Sequence, residues 1–167
     1  MSILDHTPKF TTDDASKMAW ELFGLAGQAT PLPSDRDQNF SLTTAQSERA
    51  VLKIANGREE RAVLEAQQRV MAHLGAHSAL FPRVYSTTEG PALAEVVAGD
   101  GTRHFAWLIS LLPGKPLGEV GHHPRALLED LGRQAGELDR RLADFDHPAI
   151  HRHLVWDLAN GLETVER

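Results

Sequence analysis

Short alternating apolar runs, broken by two long helical patterns, organise this chain. Thr11-Thr12-Asp13-Asp14 offers hydroxyl caps and first-turn acids, and Ala15, Met18, Ala19, Leu22 and Phe23 recur at helical spacing before Gly24. A helix is expected there. Leu25–Leu32 is weakly strand-like, with Pro31 suited to a sheet edge. After the polar turn Pro33–Gln38, the Phe40/Leu42 alternation predicts a half-buried strand over Asn39–Thr43. Thr44–Arg49 reads as a hairpin connection into the apolar run Ala50–Asn56, which Asn56-Gly57 breaks.

Arg58–Leu74 has strong helix propensity, with Ala62, Glu65, Ala66, Arg69, Val70 and Leu74 in stacked rows. Phe81–Tyr85 follows as a short β element. Ala92–Val97 and Arg103–Ile109 read as two strands joined by the hairpin signal Gly99-Asp100-Gly101. Leu112-Pro113-Gly114-Lys115-Pro116 is a rigid, strand-ending connector, and Pro124–Phe145 is a second long helix with Leu127, Leu128, Leu131, Ala135, Leu138 and Leu142 on one side. The expected fold class is therefore α+β: an antiparallel sheet of about five strands, one helix packed on it, and further helices beyond the connector. The divisions expected are an N-terminal helix over 1–24, a sheet-bearing unit over 25–112, and connector plus helices over 113–167.

The run Val51-Leu52-Lys53-Ile54-Ala55 carries the candidate chemistry. Strand side chains alternate, so Leu52 and Ile54 share one face while Val51, Lys53 and Ala55 share the other. A lysine in such a run either reaches solvent at an edge or meets a charged partner. Glu65, on the following helix, is the candidate partner, whereas Glu59 and Glu60 suit a solvated helix face. Kinases hold nucleotide phosphates with a strand lysine positioned by a helix glutamate.

Composition narrows the classes. An apolar share of 41% is enough for a core, and 24% charged residues argue against wholesale disorder. A net charge of −6 offers no basic footprint for nucleic acid. The absence of cysteine excludes disulfides, thiolate zinc sites and a thiol nucleophile, and fits a reducing compartment. No basic and then apolar leader opens the chain, and no apolar run is long enough for a bilayer, so a soluble cytoplasmic protein without membrane partners is expected. His122-His123 and His147/His151/His153 lack helical metal-ligand spacing and read as solvated loop histidines, leaving no expected metal ligand. Ser34 with Asp35 and Asp37 has no nucleophile elbow around it.

Five blocks in order resemble the aminoglycoside phosphotransferase and choline kinase-like superfamily, and within it hydroxylysine kinase-like proteins. They are Leu32–Phe40, Val51–Ile54, Leu64–Gln67, Leu108–Gly114 and Leu131-Gly132-Arg133. The resemblance implies the nucleotide-binding N-lobe of a protein kinase-like fold, followed by the first helices of an incomplete C-lobe. It implies a phosphate-covering loop at Ser34–Asn39, with Ser34, Asp35 and Asn39 among the contacts, and phosphate contact by Lys53 paired to Glu65. Backbone groups of Ser110, Leu111 and Leu112 would meet the adenine edge, with Ile54 and Leu111 as the apolar wall. The implied cofactor is ATP with magnesium in a longer parent, and the implied reaction is phosphoryl transfer to a hydroxylated amine or amino acid.

The superfamily's His-Gly-Asp loop and its later magnesium-binding aspartate are not present in this sequence. His151–Asn160 echoes a kinase catalytic loop, but Asp157 stands six residues after His151 and Asn160 three after Asp157, against the two and five such a loop requires. That stretch better resembles a structural Trp-Asp-Leu segment upstream of the loop. Isolated, the chain is thus expected not to catalyse transfer, with the remainder of the parent as a partner and a homodimer through the Pro124–Phe145 helix as another. Two other readings stay open. One is a non-catalytic regulatory or interaction module at the N-terminus of a larger enzyme, such as a class III aminotransferase with its pyridoxal phosphate in a separate domain. The other is a ligand-binding domain without nucleotide.

Overall fold

The computed structural model describes residues 6–76, 78, 80–152 and 157–162. Helix α1 (Thr12–Phe23) leads into β1 (Gly27–Leu32), β2 (Gln38–Thr44) and β3 (Arg49–Ile54). Helix α2 (Arg61–Gly75) intervenes before β4 (Ala94–Val97) and β5 (Arg103–Ser110), and α3 (Arg125–Leu142) follows. The five strands form one antiparallel sheet in the order β1-β2-β3-β5-β4. Its class is α+β, as expected.

Each sheet face has its own helix. Phe40, Leu42, Ala50, Leu52, Ile54, Ala106 and Leu108 are buried with Ala15 and Ala19 of α1. Ala55, Leu93 and Trp107, on the opposite face, pack with Leu64 and Met71 of α2. The period-2 alternation read in the sequence explains this split. The expected N-terminal helix, α1, covers the face that α2 leaves open. Ile54 belongs to the α1 face and is fully buried. It cannot be the apolar wall of a site on the Lys53 face, since neighbouring strand residues point to opposite sides.

Local chemistry sets the ends of α1. Thr11 is its N-cap, in a reciprocal box in which the Asp14 N–H donates to the Thr11 hydroxyl and the Asp14 carboxylate accepts from the Thr11 N–H. Gly24 stops the helix in the left-handed region, at φ 68°, which a side chain would strain. The Thr11 N–H and hydroxyl hold the Asp14 carboxyl below its usual range. Because the folded pKa is depressed, this contribution is present above the unfolded carboxyl value and fades as pH falls through the folded one. Thr11→Ala should cost about 1 kcal/mol at neutral pH. Urea titration should show that cost shrinking on acidification below about pH 4, where Asp14 begins to protonate in the unfolded chain.

Several details differ from the sequence expectations. Helix α2 starts at Arg61 rather than Arg58, because Asn56 holds the preceding turn: its side-chain oxygen accepts from the Arg58 N–H and its carbonyl from the Glu59 N–H. Glu59 consequently lies off the helix and is not solvated; its side chain is 11% exposed. The Phe81–Tyr85 element reduces to one bridge, Val84 to Ile109. Beyond α3, Pro148–Ile150 and Leu158–Asn160 form single 3-10 turns.

Candidate functional site

Strand register assembles the site. Asn39 lies opposite Lys53 and Lys53 opposite Trp107, so all three project from the α2 face of the sheet. The Lys53 ammonium donates to Asn39 Oδ1 at 3.2 Å and stands 5.7 Å from the Trp107 ring centre. The Asn39 amide in turn donates to the Ser34 hydroxyl at 3.1 Å. Three residues singled out in the sequence therefore form one continuous polar chain, Ser34–Asn39–Lys53, which ties the turn after β1 to the lysine through Asn39.

Glu65 is placed differently. It lies on α2, over the same sheet face, but its carboxylate pairs with Arg61 at 3.5 Å, and no ion pair joins it to Lys53. Arg61 sits one helical turn before Glu65, the spacing at which opposite charges meet on a helix surface. Its guanidinium is also stacked 4.8 Å from the Phe105 ring centre on β5. The expected Lys53–Glu65 pair is thus not formed here, because each member has a nearer partner.

Past β5 the backbone groups fall into two sets. The Ser110 N–H donates to the Arg83 carbonyl at 2.8 Å and the Ser110 hydroxyl accepts from the Arg83 N–H at 2.9 Å. The Leu111 N–H donates to the Arg49 carbonyl at 3.0 Å. The Leu112 N–H has no partner among the described residues. It is the one donor of these three left for a ligand edge. Leu111, Leu112 and Pro113 also wall a cleft of about 710 Å³ that Leu32, Ser41 and Lys115 complete. That volume suits a small molecule or nucleotide base. Leu32 at the end of β1 lines this cleft, which Ile54, buried on the other face, does not reach. Its β1 position, opposite Asn39, was the available signal.

Asp35 stands exposed at the tip of the turn, while the Asp37 carboxylate accepts from the Asn56 N–H at 3.0 Å. Among the described residues no group of three carboxylates or imidazoles converges as a cation site. The resemblance assigns the magnesium to an aspartate of the longer parent that this sequence does not contain. Asp157 accepts from the Ala159 N–H at 2.9 Å, capping a turn. His153 and Trp156 of that segment lie outside the described residues. Among the described residues no helix is long and apolar enough to cross a membrane.

The sandwich of α1, sheet and α2 with this cleft defines a kinase-like phosphotransferase fold, and the chain belongs to the phosphotransferase enzyme family, whose model matches residues 28–166. It is 34% identical to the hydroxylysine kinase of Bos taurus over 170 residues, an alignment covering 90% of this chain and 44% of that protein. The hydroxylysine kinase of Mus musculus is 33% identical, with 92% and 45% covered. The chain therefore spans less than half the length of these curated relatives. Among solved structures, an amicoumacin kinase in complex with AMP-PNP, Ca2+ and Ami superposes with a TM-score of 0.74 at 16% identity, over 93% of this chain and 48% of that one. A microcompartment-associated aminopropanol kinase gives 0.68 at 14%, over 90% and 46%.

Proposed function

We propose that this chain is the ATP-binding N-lobe of a small-molecule kinase, followed by the first helices of its C-lobe, whose acceptor is a hydroxylated amine or amino acid. The observation carrying this reading is the Ser34–Asn39–Lys53 chain beside the Leu112 N–H and the open cleft. In it the phosphates lie under the Ser34–Asn39 turn, where Lys53 neutralises their charge. The adenine lies on Leu32 and Leu111 and accepts a hydrogen bond from the Leu112 N–H. ATP supplies the transferred phosphoryl group; the chain's own residues bind and orient it. Glu65, on α2 over the same sheet face, serves as the partner of Lys53 once nucleotide draws the lysine off Asn39.

Phosphoryl transfer needs positioned metals and a base, and the sequence lacks the family loop that supplies them. These 167 residues should bind Mg-ATP weakly, in the millimolar range or just below it, about −4 kcal/mol. They should release no ADP in the presence of 5-hydroxylysine. Calorimetry and a coupled ADP assay check this; measurable turnover would place the catalytic groups among residues read here as structural, Asp157 and Asn160 first.

The same reading gives the leucine face of α3 to the rest of a kinase polypeptide. Leu128 and Leu131 are 51% and 49% exposed, and α3 buries no residue. The relatives are about twice as long as this chain. Taken alone, these residues should pair through that face, since monomers rarely leave such a stripe open. Sedimentation velocity should show a dimer that Leu128→Lys with Leu131→Lys converts to monomer. A monomer at high concentration before any substitution refutes it.

A further inference from the structure

Glu59 is the most enclosed carboxylate described with a cation on either side. Its Oε2 accepts from Arg36 Nη2 at 3.1 Å and its Oε1 from Arg152 Nη1 at 3.2 Å, and only 11% of its side chain is exposed. The two arginines come from distant parts of the chain. Arg36 belongs to the Pro33–Gln38 turn that Ser34 and Asn39 link to Lys53, and Arg152 follows the 3-10 turn at Pro148–Ile150, beyond α3. Glu59 itself sits between β3 and α2.

The turn is tied at a second point to the same connection. The Asn56 N–H donates to the Asp37 carboxylate at 3.0 Å and the Asn56 amide to the Arg36 carbonyl at 3.4 Å. Asn56 is 2% exposed, so these bonds form away from bulk water. The Arg36 Nε is buried without a protein acceptor. The Arg36 guanidinium thus relies on the Glu59 carboxylate to offset its desolvation.

We propose that Glu59 is a positioning residue that couples the turn linked to Lys53 to the segment after α3, so that the placement of that segment sets how firmly the turn closes. This deepens the nucleotide reading and rests on it for its consequence, since a closed turn is what presents Ser34 and Asn39 to phosphate. Arg152 is the distant arm of the coupling. When the segment after α3 withdraws, Glu59 keeps one cation in place of two, and the turn loosens at Arg36 and Asp37. Charge-assisted bonds in a partly enclosed site have the strength and directionality for this task.

The test uses Arg152→Gln, Arg152→Lys and, as a matched control, Arg140→Gln, whose exposed arginine pairs with Glu137 within α3. Amide hydrogen exchange is read at Asn56, whose N–H donates to the turn, and Mg-ATP affinity by calorimetry on the same proteins. Arg152→Gln should speed exchange at Asn56 about fivefold, the upper range for a partly exposed ion pair. It should weaken Mg-ATP by a similar factor while leaving the thermal midpoint within a few degrees. Arg152→Lys should recover part of both, and Arg140→Gln should change neither. Unaltered Asn56 exchange in Arg152→Gln, or equal acceleration in Arg140→Gln, overturns the coupling. Faster Asn56 exchange in proteins that bind no nucleotide at all upholds the coupling and overturns the nucleotide reading instead.

Discussion

Phe40→Ala is expected to lower the unfolding free energy by about 3–5 kcal/mol. Phe40 is 1% exposed and packs from β2 among Leu42, Leu52, Ile54 and Leu108, under Ala15 and Ala19 of α1. The surrounding side chains, Met18 and Phe23 of α1 among them, relax only partly into the space a phenyl ring leaves, so transfer and cavity costs add. Domains of this size hold only about 5–15 kcal/mol in total, so a large part of the stability goes with one side chain. Urea unfolding should show the midpoint shift. The matched control is Trp20→Ala on α1, whose ring is 60% exposed and should matter little. Similar losses in both variants would mean that the α1 face is not the tightly packed one.

Lys53→Ala should weaken Mg-ATP binding by about tenfold to a hundredfold, the value of about 1.5–3 kcal/mol for hydrogen bonds to charged groups. Stability should change little, since the ammonium is only partly buried and its one hydrogen bond runs to Asn39. Asn39→Ala should weaken binding less, because it removes the lysine's guide and leaves its charge. Glu65→Gln should weaken it less still, because the carboxylate is paired with Arg61 before nucleotide arrives. Equal losses in all three would indicate that the substitutions act through the fold.

Much of this was legible in the residues, for identifiable reasons. The faces of β3 followed from alternation alone, and the Thr11 box and Gly24 stop of α1 from residue types at fixed offsets. Lys53 stood out because a lysine inside an apolar strand needs an explanation. What stayed hidden depends on register between strands or on contacts distant in sequence. Leu32 and the free Leu112 N–H require the β1-β2 pairing and the Arg83 contacts with Ser110. Glu59 read as a surface residue because helix propensity runs through 58–60, while tertiary bonds from Asn56 delay the helix to Arg61. Arg152 is 93 residues from Glu59, and no local pattern announces such a pair. Arg61 capturing Glu65 was within reach of sequence reasoning, since it needs only the spacing of four.

In the proposed function nucleotide occupies the cleft between Leu32, Ser41 and Leu111–Pro113, with its phosphates at Lys53. Amide NMR of the 167-residue chain titrated with Mg-AMP-PNP tests it most directly. Saturable shifts are expected at 34–41, at 51–53 and above all at Leu112, whose N–H gains an acceptor, with loss of the 34–41 shifts in Lys53→Ala. Shifts centred instead on the cleft between α2 and the end of α3, at Val63, Val70, Leu142 and Phe145, and unchanged by Lys53→Ala, would contradict it.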